Sequence, residues 1–394
     1  MISYLIHLEC PQCRKTYVAD SLATYCVCGS PLFAVYDLIR AIEDLRSEQF
    51  PSQINSMWRY SQLLPVESPS NIASLGEGWT PLLISRRIGS HFGLRLLMIK
   101  DEAQNPTGSF KDRGLCVAVS KHIELGAESF ALPSAGNAAV SMSAYCAAGG
   151  VPCYIFMPSD TPEPFFQDCE LYGASVTRID GDISVCGQVM RDQGGSWTDL
   201  STTKEPYRVE GKKTLAFEIV EQLGWEIPDA IICPTGGGTA VIGIWKGLAE
   251  LEALGLIDER RPRIYAAQSA GCAPIVKAFE LEVDSVDAWP NGRTSALGLR
   301  VPKPFGGRLI LQALRQSGGS AVAAAEDEIE SMRKMAAKLE GISICPEAAV
   351  GLAGLRNLVE MGEIDFDEEV VFLNTGSGAR YYYNSVSNDT NLRE

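Results

Sequence analysis

Residues 230–254 read AIICPTGGGTAVIGIWKGLAELEAL. The apolar run Ala230 to Cys233 has the length of a buried strand, and Thr239 to Leu254 has the spacing of a helix. Between them stand Gly236, Gly237 and Gly238. Glycine carries no Cβ, so backbone N–H groups there can close on a phosphate, and the positive end of the following helix adds to the attraction. The stretch is not G-x-G-x-x-G and no G-K-[ST] follows. It therefore supports neither a dinucleotide site nor a nucleoside triphosphatase.

The same strand–turn–helix unit recurs along the chain. Strands are expected at 94–99, 130–132, 151–157, 175–179, 263–267 and 369–373. Helices are expected at 109–125, 137–148, after Thr161, and at 211–223, 305–317, 326–339 and 347–361, and 36–60 reads as a helix and its exit. Short apolar runs alternating with amphipathic stretches predict an α/β fold of parallel sheets covered by helices. In such sheets ligands sit at the carboxyl ends of the strands.

A chain of 394 residues is long enough for two domains. Its net charge of −15 argues against a nucleic-acid or anionic-membrane partner, so any phosphate must be bound by a local pocket against the overall field. No apolar run approaches the length of a membrane span. Met1 to Cys10 has neither a basic n-region nor a cleavage site, and a cytoplasmic protein is expected. Eight of the twelve cysteines are scattered through apolar stretches and read as reduced core residues. The other four form two close pairs, Cys10 with Cys13 and Cys26 with Cys28. Two such pairs can supply the four thiolates of a structural zinc, although the second is C-x-C, and a metal-free knuckle is the alternative. None of the three histidines sits in a motif. The polar tail Ser385 to Glu394 is expected to fray.

Three further loops after strands carry chemistry. Lys100 to Gly114 contains a Pro106–Gly108 turn, Ser109 as the expected N-cap, and Lys111 in the first helical turn. The helix dipole opposes a cation there and would lower its pKa; the plain alternative is a surface lysine paired with Asp112. Ser134, Ala135, Gly136 and Asn137 open the next helix as an anion nest, or simply as a capping turn. The late turn Asn374-Thr375-Gly376-Ser377-Gly378 offers a hydroxyl that can reach a ring nitrogen, or is an ordinary glycine turn.

Taken in this order, the lysine loop, anion nest, triglycine cup and Thr-Gly turn resemble the β-family, fold type II, of pyridoxal-phosphate enzymes. Within it the N-terminal cysteine unit, Leu75–Leu82, the PTGSFKDRG loop at 106–114 and Glu205–Thr214 are similar to threonine synthase. The resemblance spans about residues 8–383. It implies two open, twisted, mainly parallel sheets flanked by helices. It also implies a zinc-ribbon-like unit at 1–35, a large α/β domain from 36–100 with 205–394, and a small one at 101–204, with the cofactor in the cleft between the two.

The resemblance further implies that Lys111 holds pyridoxal 5′-phosphate as a Schiff base and, once freed, removes the substrate's Cα proton. Asn137 would meet the cofactor's 3′-oxygen, Gly236, Gly237, Gly238 and Thr239 its phosphate, and Thr375 its ring nitrogen. Thr107, Ser109 and the Ser134–Asn137 nest would bind the substrate, with Arg208 and Lys212 on its phosphate. The reaction implied is O-phospho-L-homoserine plus water to L-threonine plus phosphate. The partner is thus a small phosphorylated amino acid, and a homodimer is carried as a candidate assembly. Trp79, Pro346-Glu347-Ala348-Ala349, Ser377 and Arg380 depart from the family pattern on the expected substrate side. Three alternatives stay open: a lyase or β-replacement enzyme on another phosphorylated or sulfonated amino acid, such as a cysteate synthase-like enzyme; a serine/threonine dehydratase; and a non-catalytic amino-acid sensor.

Overall fold

The computed structural model describes residues 3–47, 50 and 53–381, so the tail from Ser385 lies outside the described residues. The N-terminal unit is an antiparallel sheet of β1 (Leu5–Glu9), β2 (Thr16–Tyr17) and β3 (Phe33–Tyr36), followed by α1 (Leu38–Ser47). Next come β4 (Leu82–Ile84), α2 (Arg86–Phe92), β5 (Leu96–Asp101) and α3 (Lys111–Glu124). A second run holds β6 (Phe130–Pro133), α4 (Asn137–Ala148), β7 (Cys153–Pro158), α5 (Glu163–Leu171), β8 (Ser175–Ile179), α6 (Ile183–Gln193) and β9 (Thr198–Asp199). The chain continues through α7 (Tyr207–Gln222), β10 (Ala230–Pro234), α8 (Thr239–Ala253), β11 (Arg263–Ser269), α9 (Pro274–Glu280) and α10 (Gly307–Ser317). It closes with β12 (Ala321–Ala324), α11 (Glu328–Glu340), α12 (Pro346–Glu360) and β13 (Glu369–Asn374).

Two sheets follow from these units. The larger has the order β12-β11-β10-β13-β5-β4, parallel except for the antiparallel edge strand β4. The smaller, β8-β7-β6-β9, is entirely parallel. Strands buried on both faces explain the uninterrupted apolar runs that made them readable. The loops singled out in the sequence leave the carboxyl ends of β5, β13 and β10, which are neighbours in the larger sheet, and of β6, an inner strand of the smaller one.

Helices α3 and α7 cross closely because glycine sits at the crossing. A Cβ on Gly211 would lie 1.9 Å from Arg113 O, and one on Gly114 would lie 2.8 Å from Arg208 O. That approach brings Lys111 and Arg208, at the starts of the two helices, to one side. Behind the crossing, fully buried Arg113 binds Glu102 (Nε–Oε2, 2.6 Å) and Glu218 (Nη1–Oε1, 2.6 Å). Buried Lys100 binds the other oxygen of Glu218 at 2.8 Å. Two cations thus face two anions, and β5, α3 and α7 are tied without net charge in the interior.

Several boundaries differ from expectation. The stretch 36–60, expected to hold a helix and its exit, holds α1 and, after undescribed residues, leads into a 3-10 turn at Met57–Leu63. Helix α7 starts at Tyr207 rather than 211, because the Glu205 carboxylate accepts the N–H groups of Tyr207 (2.7 Å) and Arg208 (3.0 Å) and so caps it. Ser109 is not the N-cap of α3, which is Phe110. Buried Asp112 takes both the N–H (2.7 Å) and the hydroxyl of Thr107, and the helix opens one residue later. Elements α2, β4, α6, β9, α9 and β12 were not foreseen; most are short.

Candidate active site

One cavity is lined by Lys111, Ser134, Ala135, Gly136, Asn137, Arg208, Gly236, Gly237, Gly238, Thr239 and Thr375 together. Residues more than two hundred positions apart are brought into one wall by the strand order.

Lys111 is the first residue of α3, with its Nζ 4.4 Å from the centre of the Phe110 ring. Its pKa is lowered to about 8, first by burial and then by the Arg208 guanidinium, while Glu347 works in the opposite direction. Burial and a neighbouring cation therefore lead the shift. Pairing with Asp112 does not occur, since Asp112 is engaged by Thr107. The result is an amine that gives up its proton more readily than a solvent-exposed lysine does.

The Gly236–Gly238 turn is a cradle of bare backbone. A Cβ on Gly236 would meet Gly298 O at 2.7 Å, one on Gly237 would meet Thr202 Cγ2 at 2.7 Å, and one on Gly238 would meet Ile310 Cδ1 at 2.1 Å. Gly238 also has φ +76°, a conformation that side chains resist. The turn ends at the N-terminus of α8, whose first N–H groups lack partners inside the helix. At the second nest, Gly136 has φ +152° and the Ser134 hydroxyl accepts the N–H of Ala139 at 3.1 Å. Ser134 is thus a capping residue as well as part of the wall. Thr375 leaves the end of β13, and its carbonyl accepts the N–H of Phe110 at 3.0 Å, which binds the Thr-Gly turn to the lysine loop.

Arg208 reaches the wall while its Nη1 donates to Leu200 O at 2.8 Å. Thr107, Ser109 and Lys212, expected among the substrate contacts, are not lining residues. Ser109 pairs as a bridge with Gly376, and Lys212 stands behind Phe110 with its Nζ 3.9 Å from the ring centre.

The wall also holds residues that sequence reading did not assign: Thr202, the segment Leu297–Val301, Cys345, Glu347 and Tyr381. Glu347 was noticed only as a departure from a pattern. Arg300 is held at 3.1 and 3.2 Å by Asp160, at the end of β7. No periodicity or glycine turn marks 297–301, so no local signal pointed there.

Away from this cavity, Cys10, Cys13, Cys26 and Cys28 form a cluster whose sulfurs all lie within 4.8 Å of one another and could hold a metal ion. The eight scattered cysteines are free and buried, as expected of core residues.

A family model for pyridoxal-phosphate dependent enzymes matches residues 73–376. The chain belongs to that family. Threonine synthase of Methanocaldococcus jannaschii is 36% identical over 377 residues, covering 94% of this chain and 92% of the relative. Threonine synthase of Mycobacterium bovis is 32% identical over 324 residues, 82% of this chain and 87% of the relative. Among solved structures, maize serine racemase superposes with a TM-score of 0.65 at 22% identity, over 78% of this chain and 93% of that one. A fungal L-serine ammonia-lyase from Rhizomucor miehei gives 0.65 at 20%, over 76% and 93%. These two likenesses are of fold alone, and the fold is that of fold type II pyridoxal-phosphate enzymes. The chain is a pyridoxal-phosphate-dependent enzyme of threonine-synthase-like, lyase type. Among the described residues no helix is long and apolar enough to cross a membrane.

The cavity suits that cofactor on its own terms. It pairs an amine of lowered pKa with a side-chain-free backbone cradle at a helix N-terminus, which are the groups an aldehyde and a phosphate require.

Proposed function

We propose that this chain is a threonine synthase, converting O-phospho-L-homoserine and water to L-threonine and phosphate. The observation that carries this reading is the meeting of Lys111, the glycine cradle and Arg208 in one cavity, in a chain whose relatives of that name match over nearly its whole length.

In this reading Lys111 holds pyridoxal phosphate covalently. Gly236, Gly237, Gly238 and Thr239 hold its phosphate, Asn137 meets its 3′-oxygen, and Thr375 meets its ring nitrogen. The bound cofactor supplies a sink for negative charge next to the substrate's amino group. The chain's own residues do the rest. The Ser134–Asn137 nest orients the substrate carboxylate through backbone N–H groups. Arg208, a planar cation, holds the substrate phosphate. Once freed from the cofactor by the substrate's own amine, Lys111 Nζ would take the proton from Cα, a task for which a pKa near 8 is well placed. A hydroxyl from Thr375 leaves the ring nitrogen without a full positive charge, which favours chemistry at the β and γ carbons. Thr107, Ser109 and Lys212 stand outside the lining of the cavity.

The test is incubation with O-phospho-L-homoserine, measuring inorganic phosphate and free amino acids in the same tube. Equal amounts of phosphate and threonine support the assignment. No phosphate release by a chain that still carries the cofactor would overturn it and direct the search to other phosphorylated or sulfonated amino acids.

A further inference from the structure

The four N-terminal thiols are arranged as two matching turns. Arg14 N donates to Cys10 O at 2.9 Å, and Gly29 N donates to Cys26 O at 2.8 Å. The residue after the second cysteine of each pair, Arg14 (φ 61°) or Gly29 (φ 85°), is left-handed. The C-x-C pair therefore makes the same kind of reversal as the C-x-x-C pair with one residue fewer. Sulfurs from opposite turns stand 3.5 Å apart (Cys10–Cys28) and 3.4 Å apart (Cys13–Cys26). That is too far for a disulfide, at about 2.05 Å, and close to the edge of about 3.8 Å expected when four thiolates surround zinc at about 2.3 Å. The Cys13 N–H (3.4 Å) and the Tyr17 hydroxyl (3.2 Å) are directed at sulfur, as donors to thiolates are. All four positions are filled by sulfur, which leaves no open position for substrate, so the site is structural in type.

The unit that carries these thiols is not detached. Tyr25, beside Cys26, packs its ring edge-on against Phe305 with centroids 5.4 Å apart. Phe305 stands just before α10, and Ile310 of that helix fills the space where Gly238 lacks a side chain. Pro11 and Gln12, inside the first turn, share a narrow cleft with Arg308, Leu309 and Gln312 of α10. From the other side of the unit, the Tyr36 hydroxyl donates to Glu210 of α7 at 2.9 Å.

We propose that Cys10, Cys13, Cys26 and Cys28 bind one structural Zn²⁺, and that the zinc-held turns brace α10 behind the glycine cradle, so that metal occupancy sets how firmly the cofactor is retained. The brace rests on the reading of the cradle as the site of the cofactor phosphate; the metal site does not. Zinc replaces the cohesion that a three-stranded sheet with short strands cannot supply by burial. Without it, Tyr25 loses its fixed position, α10 loosens, and Ile310 no longer holds the turn at Gly238.

The experiment has two measurements on the purified holoenzyme. Elemental analysis should give about one zinc per chain; no metal, or iron in its place, overturns the zinc assignment. Cofactor loss is then followed by visible absorption during dialysis for the wild type, the double variant Cys13→Ser with Cys28→Ser, and Tyr25→Ala. The cysteine variant should lack zinc and lose the cofactor about tenfold faster. Tyr25→Ala keeps all four thiols and should keep zinc while losing the cofactor faster. Wild-type retention in both variants overturns the brace. A wild-type chain that takes up no pyridoxal phosphate overturns the functional reading and the brace with it, while the zinc count still decides the metal site.

Discussion

The hydroxyl of Tyr381 lies 3.0 Å from Glu347 Oε2 and 3.1 Å from Oε1, and it fixes that carboxylate in the cavity wall. The N–H of Gly298 adds a third contact at 2.8 Å. Glu347 is the one carboxylate among the residues lining the cavity, and its charge holds the Lys111 pKa up against burial and Arg208. Removing that charge should move the Lys111 midpoint below about 8. Glu347→Gln keeps an oxygen for the Gly298 N–H and is the suitable variant. The pH dependence of pyridoxal-phosphate uptake by the cofactor-stripped protein would report it, and a midpoint that stays put or rises would refute this role.

Lys111→Ala should lower turnover by at least about 10²-fold while leaving the glycine cradle able to bind the cofactor without a covalent link. Single-turnover kinetics and equilibrium dialysis separate the two effects. Turnover near that of the wild type would remove Lys111 from the chemistry.

The buried ion cluster predicts acid lability with a defined window. Burial by itself would raise the pKa of Glu218, but Arg113 and Lys100 overcome it and hold the carboxyl at about 2. A depressed carboxyl stabilises the fold above its unfolded value of about 4.3, and the contribution is lost as pH falls from there toward about 2. Glu218→Gln should therefore cost about 3 kcal/mol near neutrality and flatten that acid transition. Urea unfolding at several pH values measures both. An unchanged acid limb would mean that other carboxylates control it.

Gly238→Ala tests the cradle. The added methyl would meet Ile310 at 2.1 Å in a backbone conformation of positive φ, at a cost of about 1–3 kcal/mol carried at the site itself. Cofactor affinity should fall about tenfold or more. An unaltered dissociation constant would place the phosphate elsewhere.

What could be read from the sequence was whatever chemistry sits within a few residues of a strand end. The glycine cradle, the nest at 134–137 and the lysine loop are contiguous, and their turn residues identify them. Glu347, Tyr381 and Arg300 are wall residues contributed by α12, the C-terminal turn and an irregular segment, and they meet only because of the sheet order. Proximity in sequence also misled: Lys212 lies four residues after Arg208, on the same helix, yet it packs behind Phe110 rather than on the wall. The early start of α7 was hidden because Glu205, a residue that seldom caps, takes that role.

The position of β13 has a consequence for how the molecule is made. This strand is the last among the described residues, yet it lies in the interior of the larger sheet between β10 and β5. During synthesis those two neighbours emerge with nothing to join them, and their apolar edges must wait until residue 374 has left the ribosome. Three of the four site loops acquire their relative positions only then. The larger sheet, and with it the meeting of three of the four site loops, is therefore completed by the last-made of its strands.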